Sequence, residues 1–234
     1  MELVCVGRSE LGLVRLNNED AWAATTHCAV VSDGVGGRPA GEVAAGLAVS
    51  VFSDLVAAGS EPPLAVHIAS RAVQRVGRGN SLFSGMCATL TAVVLTPEDV
   101  QVVHVGDSSG WLVRDGKATP VTEPQTVTHA LLAAGEITAE QALTHPGRGM
   151  KTQVVGGAKE LKVATQRLDV RAGDRYVLAT DGLDYVDATT RATLLAAPKP
   201  AEELADALVA AALEAGGEDN VTVVVVDLVD DTTF

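Results

Sequence analysis

Five short runs rich in valine, alanine and leucine recur along the chain, at residues 29–32, 92–95, 100–105, 175–180 and 221–228. Their length and β-branched content mark them as strands. Weaker strand signals lie at 23–28, 111–114 and 161–168, and Asp115-Gly116 reads as a hairpin turn leading into 118–121. Hydrophobic residues make up 47% of the 234 residues but aromatics only 3%, so the core must be built from Val, Leu and Ala. That suits a valine-rich sheet covered by alanine-rich helices.

Helices are legible between the strands. Pro39 begins a segment, 40–58, with apolar residues at helical spacing, and Gly59 closes it. Pro62-Pro63 opens a second helix to about residue 76, and Pro200 leads into a third at 201–215, stopped by Gly216-Gly217. Residues 123–157 differ, mixing short helices at 127–134 and 138–143 with several glycines. They read as an insertion over the surface, and long excursions of that kind are often functional. With no repeat or linker in view, residues 1–234 read as one domain, long enough to bury roughly 70–75% of its unfolded surface.

Lys and Arg total 17 against 30 Asp and Glu, a formal charge of −13. This argues against nucleic acid or an anionic membrane as partner, because phosphate-rich surfaces demand clustered cations. Cys5, Cys28 and Cys87 sit in apolar surroundings without zinc spacing, as buried thiols in a reducing compartment do. No leader peptide or apolar run of membrane-spanning length is evident, so a cytoplasmic protein is expected.

The chemistry lies where acids fall. Asp33 follows one apolar run and precedes Gly34-Val35-Gly36-Gly37, while Asp107 follows another within Gly106-Asp107-Ser108. Asp181 follows a third and precedes Gly182, Asp219 stands just before a fourth, and Glu19-Asp20 precede a strand expected near Trp22. Singly, each could be a turn aspartate. Together they could meet at one rim, where bare carboxylates ~4 Å apart repel by roughly 4 kcal/mol at an effective dielectric of ~20. Such a cluster needs cations, and an all-oxygen donor set suits Mg²⁺ or Mn²⁺. Arg15, four residues before Glu19, offers a guanidinium fork for phosphate oxygens or is simply a surface arginine.

The order Gly12-Leu13-Val14-Arg15-Leu16-Asn17-Asn18-Glu19-Asp20, Asp33-Gly34-Val35-Gly36-Gly37, Val105-Gly106-Asp107-Ser108, Thr180-Asp181-Gly182-Leu183, Asp219-Asn220-Val221-Thr222 resembles the bacterial PPM family. These are metal-dependent, protein phosphatase 2C-like enzymes. The resemblance runs nearly end to end and implies an α+β fold: a four-layer α-β-β-α sandwich with two central, mainly antiparallel sheets. It implies that Asp33 bridges two Mn²⁺ or Mg²⁺ ions. Glu19 and the carbonyl of Gly34 would hold one ion, Asp181 and Asp219 the other. Asp20 would lie in the outer shell, Arg15 would grip the substrate phosphate, and Asp107 would help bind a third, weaker ion near the flap at 123–157. The implied activity is hydrolysis of phosphoserine and phosphothreonine in proteins by a water or hydroxide bridging the two metals, in line at phosphorus. The implied partners are a bacterial Ser/Thr kinase and its substrates, met by a monomer.

Several positions depart from that pattern. Val35 stands where animal relatives carry a proposed general acid histidine, which leaves His145 as a candidate by chemistry alone or a packing histidine beside Pro146. Arg38 replaces a common histidine and could reach a phosphopeptide or pair at the helix start. Ser109, Pro124-Gln125 and Met86-Cys87-Ala88-Thr89 also differ from family habit, on the flap side and in strand packing. Two alternatives stay open: a pseudophosphatase that binds phosphoproteins without turnover, and a metal-dependent nuclease or nucleotide hydrolase.

Overall fold

The valine runs become the centre of two stacked sheets in the computed structural model, which describes residues 1–35, 40–157 and 160–230. The strands are β1 (Glu2–Glu10), β2 (Asp20–Ala24), β3 (Cys28–Asp33), β4 (Leu90–Leu95), β5 (Val100–Val105), β6 (Ser109–Arg114), β7 (Lys117–Pro120), β8 (Ala164–Leu168), β9 (Arg175–Ala179) and β10 (Val221–Val229). They form two five-stranded sheets, ordered β1-β10-β9-β6-β7 and β2-β3-β4-β5-β8. Every pairing between them is antiparallel.

Alternation along β10 shows how the layers arise. Val224, Val226 and Leu228 point between the sheets, while Val223 and Val225 point at the outer helices. With both faces covered, neither needs a polar residue. On the second sheet, β3 sends Ala29 and Val31 inward and Cys28 and Val30 outward.

Two helices, α1 (Gly41–Ala57) and α2 (Pro62–Gly79), cover the outer face of the second sheet with Ala44, Ala45, Ala48, Phe52, Ala65, Ala69 and Val73. The small residues let each helix lie close to the sheet. Gly59, at φ +83, ends the α1 segment as expected. Short helices α3 (Val127–Ala133) and α4 (Ala139–Thr144) follow in the 123–157 segment, α4 starting on a capping box between Thr138 and Gln141. On the far face, α5 (Ala188–Ala196) and α6 (Ala201–Glu214) cover the first sheet, α6 through Leu204, Ala205, Leu208 and Ala212. The result is the four-layer α-β-β-α sandwich expected from the resemblance.

Several local expectations need correcting. The strand expected at 23–28 is β2, which starts at Asp20 and stops at Ala24. Thr25 turns the chain there, its N–H donating to the Cys28 carbonyl at 2.7 Å and its hydroxyl accepting from the Cys28 N–H at 3.0 Å. Asp20 is thus a strand residue, not one preceding a strand. β8 begins at Ala164, three residues later than expected. β1 and α5 were not anticipated; β1 carries Gly7, Arg8 and Ser9 and is held by its long-range pairing with β10. The Asp115-Gly116 hairpin is present, both residues at positive φ as a two-residue turn requires. Segment 123–157 is not purely a surface excursion, because Val155 is fully buried and bridges Ala88.

Candidate metal centre

Antiparallel pairing brings the acid-bearing strand ends to one rim. Asp20, at the start of β2, is the register partner of Asp33, at the end of β3. β5 ends at Val105, and Gly106 turns back at φ +107, which places Asp107 beside them. A Cβ at Gly106 would lie 2.5 Å from Thr89 Cγ2, so this close turn requires glycine. Thr89 knits the loops: its hydroxyl accepts from the Asp33 N–H at 2.9 Å and shares a 2.7 Å bond with the Ser108 hydroxyl. Asp181 opens a 3₁₀ turn (Asp181–Tyr185) after β9. Gly182 there fits against the Asn220 carbonyl, 2.1 Å from where a Cβ would stand.

Carboxylate oxygens of Asp33, Asp107 and Asp181 all lie within 4.8 Å of one another. Asp20 stands behind them. Its Oδ2 accepts from the hydroxyls of Thr180 at 2.8 Å and Thr222 at 2.7 Å, whereas its buried Oδ1 accepts no hydrogen bond from any described residue. Burial, then the loss of charge balance near Asp181 and Asp219, pushes the Asp20 carboxyl up to about 7 despite the two hydroxyls. Burial likewise lifts Asp107 to about 6 and Asp33 well above the usual carboxylate range, with Asp181 adding to both.

Glu19 and Asp219 lie on the margin of this group. Glu19 Oε2 points at the start of α1, 2.5 Å from where a Cβ on Gly41 would stand. Its backbone is tied to Gly34, whose N–H donates to the Glu19 carbonyl at 3.0 Å. Burial, then the neighbouring Glu42, raises the Glu19 carboxyl. Asp219 Oδ2 accepts from Arg15 Nη2 at 2.7 Å, so the guanidinium expected to meet phosphate is anchored on a carboxylate expected to hold metal. Arg38 lies outside the described residues. His145 uses Nδ1 to accept from the Gly147 N–H at 3.0 Å, which fits a histidine that shapes its own turn.

Sequence reasoning missed two kinds of residue here. Asn220 fastens the Arg15 loop to the rim: its amide donates to the carbonyls of Leu11 and Asn17 at 2.9 and 3.0 Å, and its Oδ1 accepts from the Glu19 N–H at 2.9 Å. Its place beside Asp219 was the available signal. Lys151 was not anticipated at all. Its Nζ lies 2.9 Å from Asp107 Oδ1, 3.3 Å from Asp181 Oδ2 and 3.6 Å from Asp33 Oδ2, on a side chain only 9% exposed. Burial alone would lower this ammonium, but Asp181, Asp107 and Asp33 outweigh it and raise it.

The donor set fits divalent cations of the hard, oxygen-loving kind. It holds several carboxylates whose pKa burial, and then neighbouring acids, raise above the ordinary range, and no Cys or His among the clustered residues. A cavity of about 760 Å³, lined by Thr25, Val56, Leu95 and Arg167, lies at the opposite strand ends. Side-chain chemistry, not cavity size, therefore marks the site.

A two-sheet sandwich with an acidic rim defines a class of metal-binding scaffold. Residues 13–220 match the family described as Protein phosphatase 2C. The chain is 39% identical to the serine/threonine protein phosphatase PstP of Mycobacterium tuberculosis, over 95% of this chain and 44% of that protein. It therefore spans less than half the length of that relative. It is 30% identical to the serine/threonine phosphatase stp of Listeria monocytogenes, over 94% of each. The solved catalytic domain of PstP, in complex with two manganese ions, superposes with a TM-score of 0.84 at 36% identity, over 98% of this chain and 99% of that one. The chain belongs to the protein phosphatase 2C family.

Proposed function

We propose that the chain is a metal-dependent phosphatase of phosphoserine and phosphothreonine in proteins, acting as one catalytic unit over residues 1–234 with 123–157 as its flap. The observation that carries this is the convergence of Asp33, Asp107 and Asp181 next to Asp20, with the Arg15 guanidinium anchored at the same rim. In this reading Asp33 would help hold both of two Mn²⁺ or Mg²⁺ ions, Glu19 and the Gly34 carbonyl would hold one, and Asp181 and Asp219 would hold the other. Bound divalent cations would neutralise phosphate charge and make water nucleophilic near neutral pH.

The protein's own groups supply orientation. Asp219 occupies one edge of the Arg15 fork, leaving further N–H donors for two phosphate oxygens. Asp20 is fixed by two threonine hydroxyls on Oδ2, so its unpartnered Oδ1 is free to accept a hydrogen bond from water and aim it. Thr89 holds the Asp33 and Asp107 loops at a set spacing. Val35 offers no proton to the departing serine or threonine oxygen, so water or another group must supply it.

The chain's charge of −13 agrees with phosphoproteins rather than nucleic acid as substrates. Among the described residues no helix is long and apolar enough to cross a membrane. We place the protein in the cytoplasm as a monomer opposing a bacterial Ser/Thr kinase. The test is Mn²⁺-dependent hydrolysis of p-nitrophenyl phosphate and of a phosphothreonine peptide, with ATP and oligonucleotides as competitors. Turnover lost in Asp33→Ala and a preference for the peptide are expected. Metal-independent turnover, none at all, or a preference for ATP would overturn the reading.

A further inference from the structure

Lys151 brings a cation to the centre from within the chain. Lys151 forms an isolated β-bridge with Thr126, pinned by two backbone hydrogen bonds: Val127 N–H to the Met150 carbonyl at 2.9 Å, and Thr152 N–H to the Gln125 carbonyl at 2.7 Å. Gln125 is the fastening piece. Its side-chain Oε1 accepts from the Gly106 N–H at 2.9 Å, and its own N–H donates to the Gly106 carbonyl at 2.7 Å. The residue that departs from family habit thus ties the Asp107 turn directly to the Lys151 segment. The ammonium then meets Asp107 most closely, at 2.9 Å, with Asp181 next at 3.3 Å.

We propose that Lys151 takes the place of the third divalent ion: its ammonium is the standing counter-ion of Asp107, and the chain binds two metal ions rather than three. This rests on the two-metal reading above. The acid expected to help hold the third ion is Asp107, and it is the closest partner of Nζ. Asp107 is the one acid of the three with no part in the other two positions, and a divalent ion drawn to it would meet the ammonium already 2.9 Å from its Oδ1, a like charge at a few ångströms. The tether also changes the cost of filling the place. A free ion must be dehydrated and captured from solution, whereas Lys151 is delivered by a segment already fastened through Gln125. Nζ meets Asp33 and Asp181 through Oδ2, at 3.6 and 3.3 Å, and Glu19 and Asp219 lie outside its contacts, so the positions flanking Asp33 keep Glu19, Asp219 and the Oδ1 atoms of Asp33 and Asp181 as donors.

Manganese binding measures this directly. Bound and free Mn²⁺ are counted by electron paramagnetic resonance and calorimetry, titrating into the millimolar range where weak sites fill. The wild type is expected to bind about two ions, and Asp107→Asn the same number. Lys151→Met should gain a further, weaker ion, and Lys151→Met/Asp107→Asn should lose it again. Lys151→Gln serves the same purpose if circular dichroism shows the Met variant unfolded. A wild type that binds about three ions, one of them lost in Asp107→Asn, would overturn the inference, as would folded Lys151 variants that gain none. A wild type that binds no manganese would instead overturn the two-metal reading itself, and this inference with it.

Discussion

Replacing Asp20 by Asn should stabilise the metal-free protein at alkaline pH while weakening its hold on manganese. In the folded protein the Asp20 carboxyl is pushed up to about 7 from an ordinary 3.8, chiefly by burial. The unfolded chain therefore releases this proton first. Between 3.8 and about 7 the folded state binds more protons, so stability is greatest below 3.8 and declines as pH rises through 7. That gap corresponds to about 4 kcal/mol as a ceiling for one site. Asn can keep its amide oxygen on the hydroxyls of Thr180 and Thr222, and it carries no charge to bury. Its amide nitrogen then faces the cluster, which takes back part of the gain. A net stabilisation of about 2 kcal/mol at pH 8 is expected, shrinking toward zero at pH 5. Urea unfolding in the presence of chelator, at intervals from pH 5 to 8, measures it. An Asn variant that is equally stable or weaker than the wild type at pH 8 would refute the reasoning, because Asp20 would then be comfortable as an anion without a cation.

Other outcomes follow from the same geometry. Manganese at about a hundred times its dissociation constant should raise stability by about 2.7 kcal/mol and the melting temperature by roughly 5–11 °C. Asp33→Ala should abolish that rise, read by calorimetry. Arg114 grips Asp174 through two bonds of 2.6 and 2.7 Å, and Asp174 is 2% exposed. Arg114→Ala strands that carboxylate and should cost about 3 kcal/mol in urea unfolding, with little effect on manganese binding. Gly182→Ala should force the Asp181 turn away from the Asn220 carbonyl. It should cost about 1–3 kcal/mol and weaken manganese binding measurably by calorimetry, whereas a neutral result would show that the turn can give way.

Much of the architecture was legible because its signals are local. Valine runs alternating between two buried faces declare strands, and the aspartates at several of their ends, Asp33 and Asp181 each followed by glycine, declare a rim. The hairpin at Asp115-Gly116 and the helix stop at Gly59 rest on backbone conformations that few other residues tolerate. What was missed depends on distant partners. β1 reads as polar and glycine-broken after Val6, and only pairing with β10 more than two hundred residues away makes it a strand. Lys151 lies in a glycine-rich stretch where a lysine ordinarily reaches for water. Nothing near it in sequence reveals that Gln125 and Gly106 hold its segment against three carboxylates. Thr180 and Thr222 likewise look like ordinary strand residues until Asp20 is placed between them.

The central claim is that two divalent cations share Asp33. Crystals soaked in manganese and measured at its absorption edge test it most directly. The account predicts two anomalous peaks flanking Asp33, one beside Glu19 and the Gly34 carbonyl and the other beside Asp181 and Asp219. Peaks elsewhere, or none between these carboxylates, would contradict it.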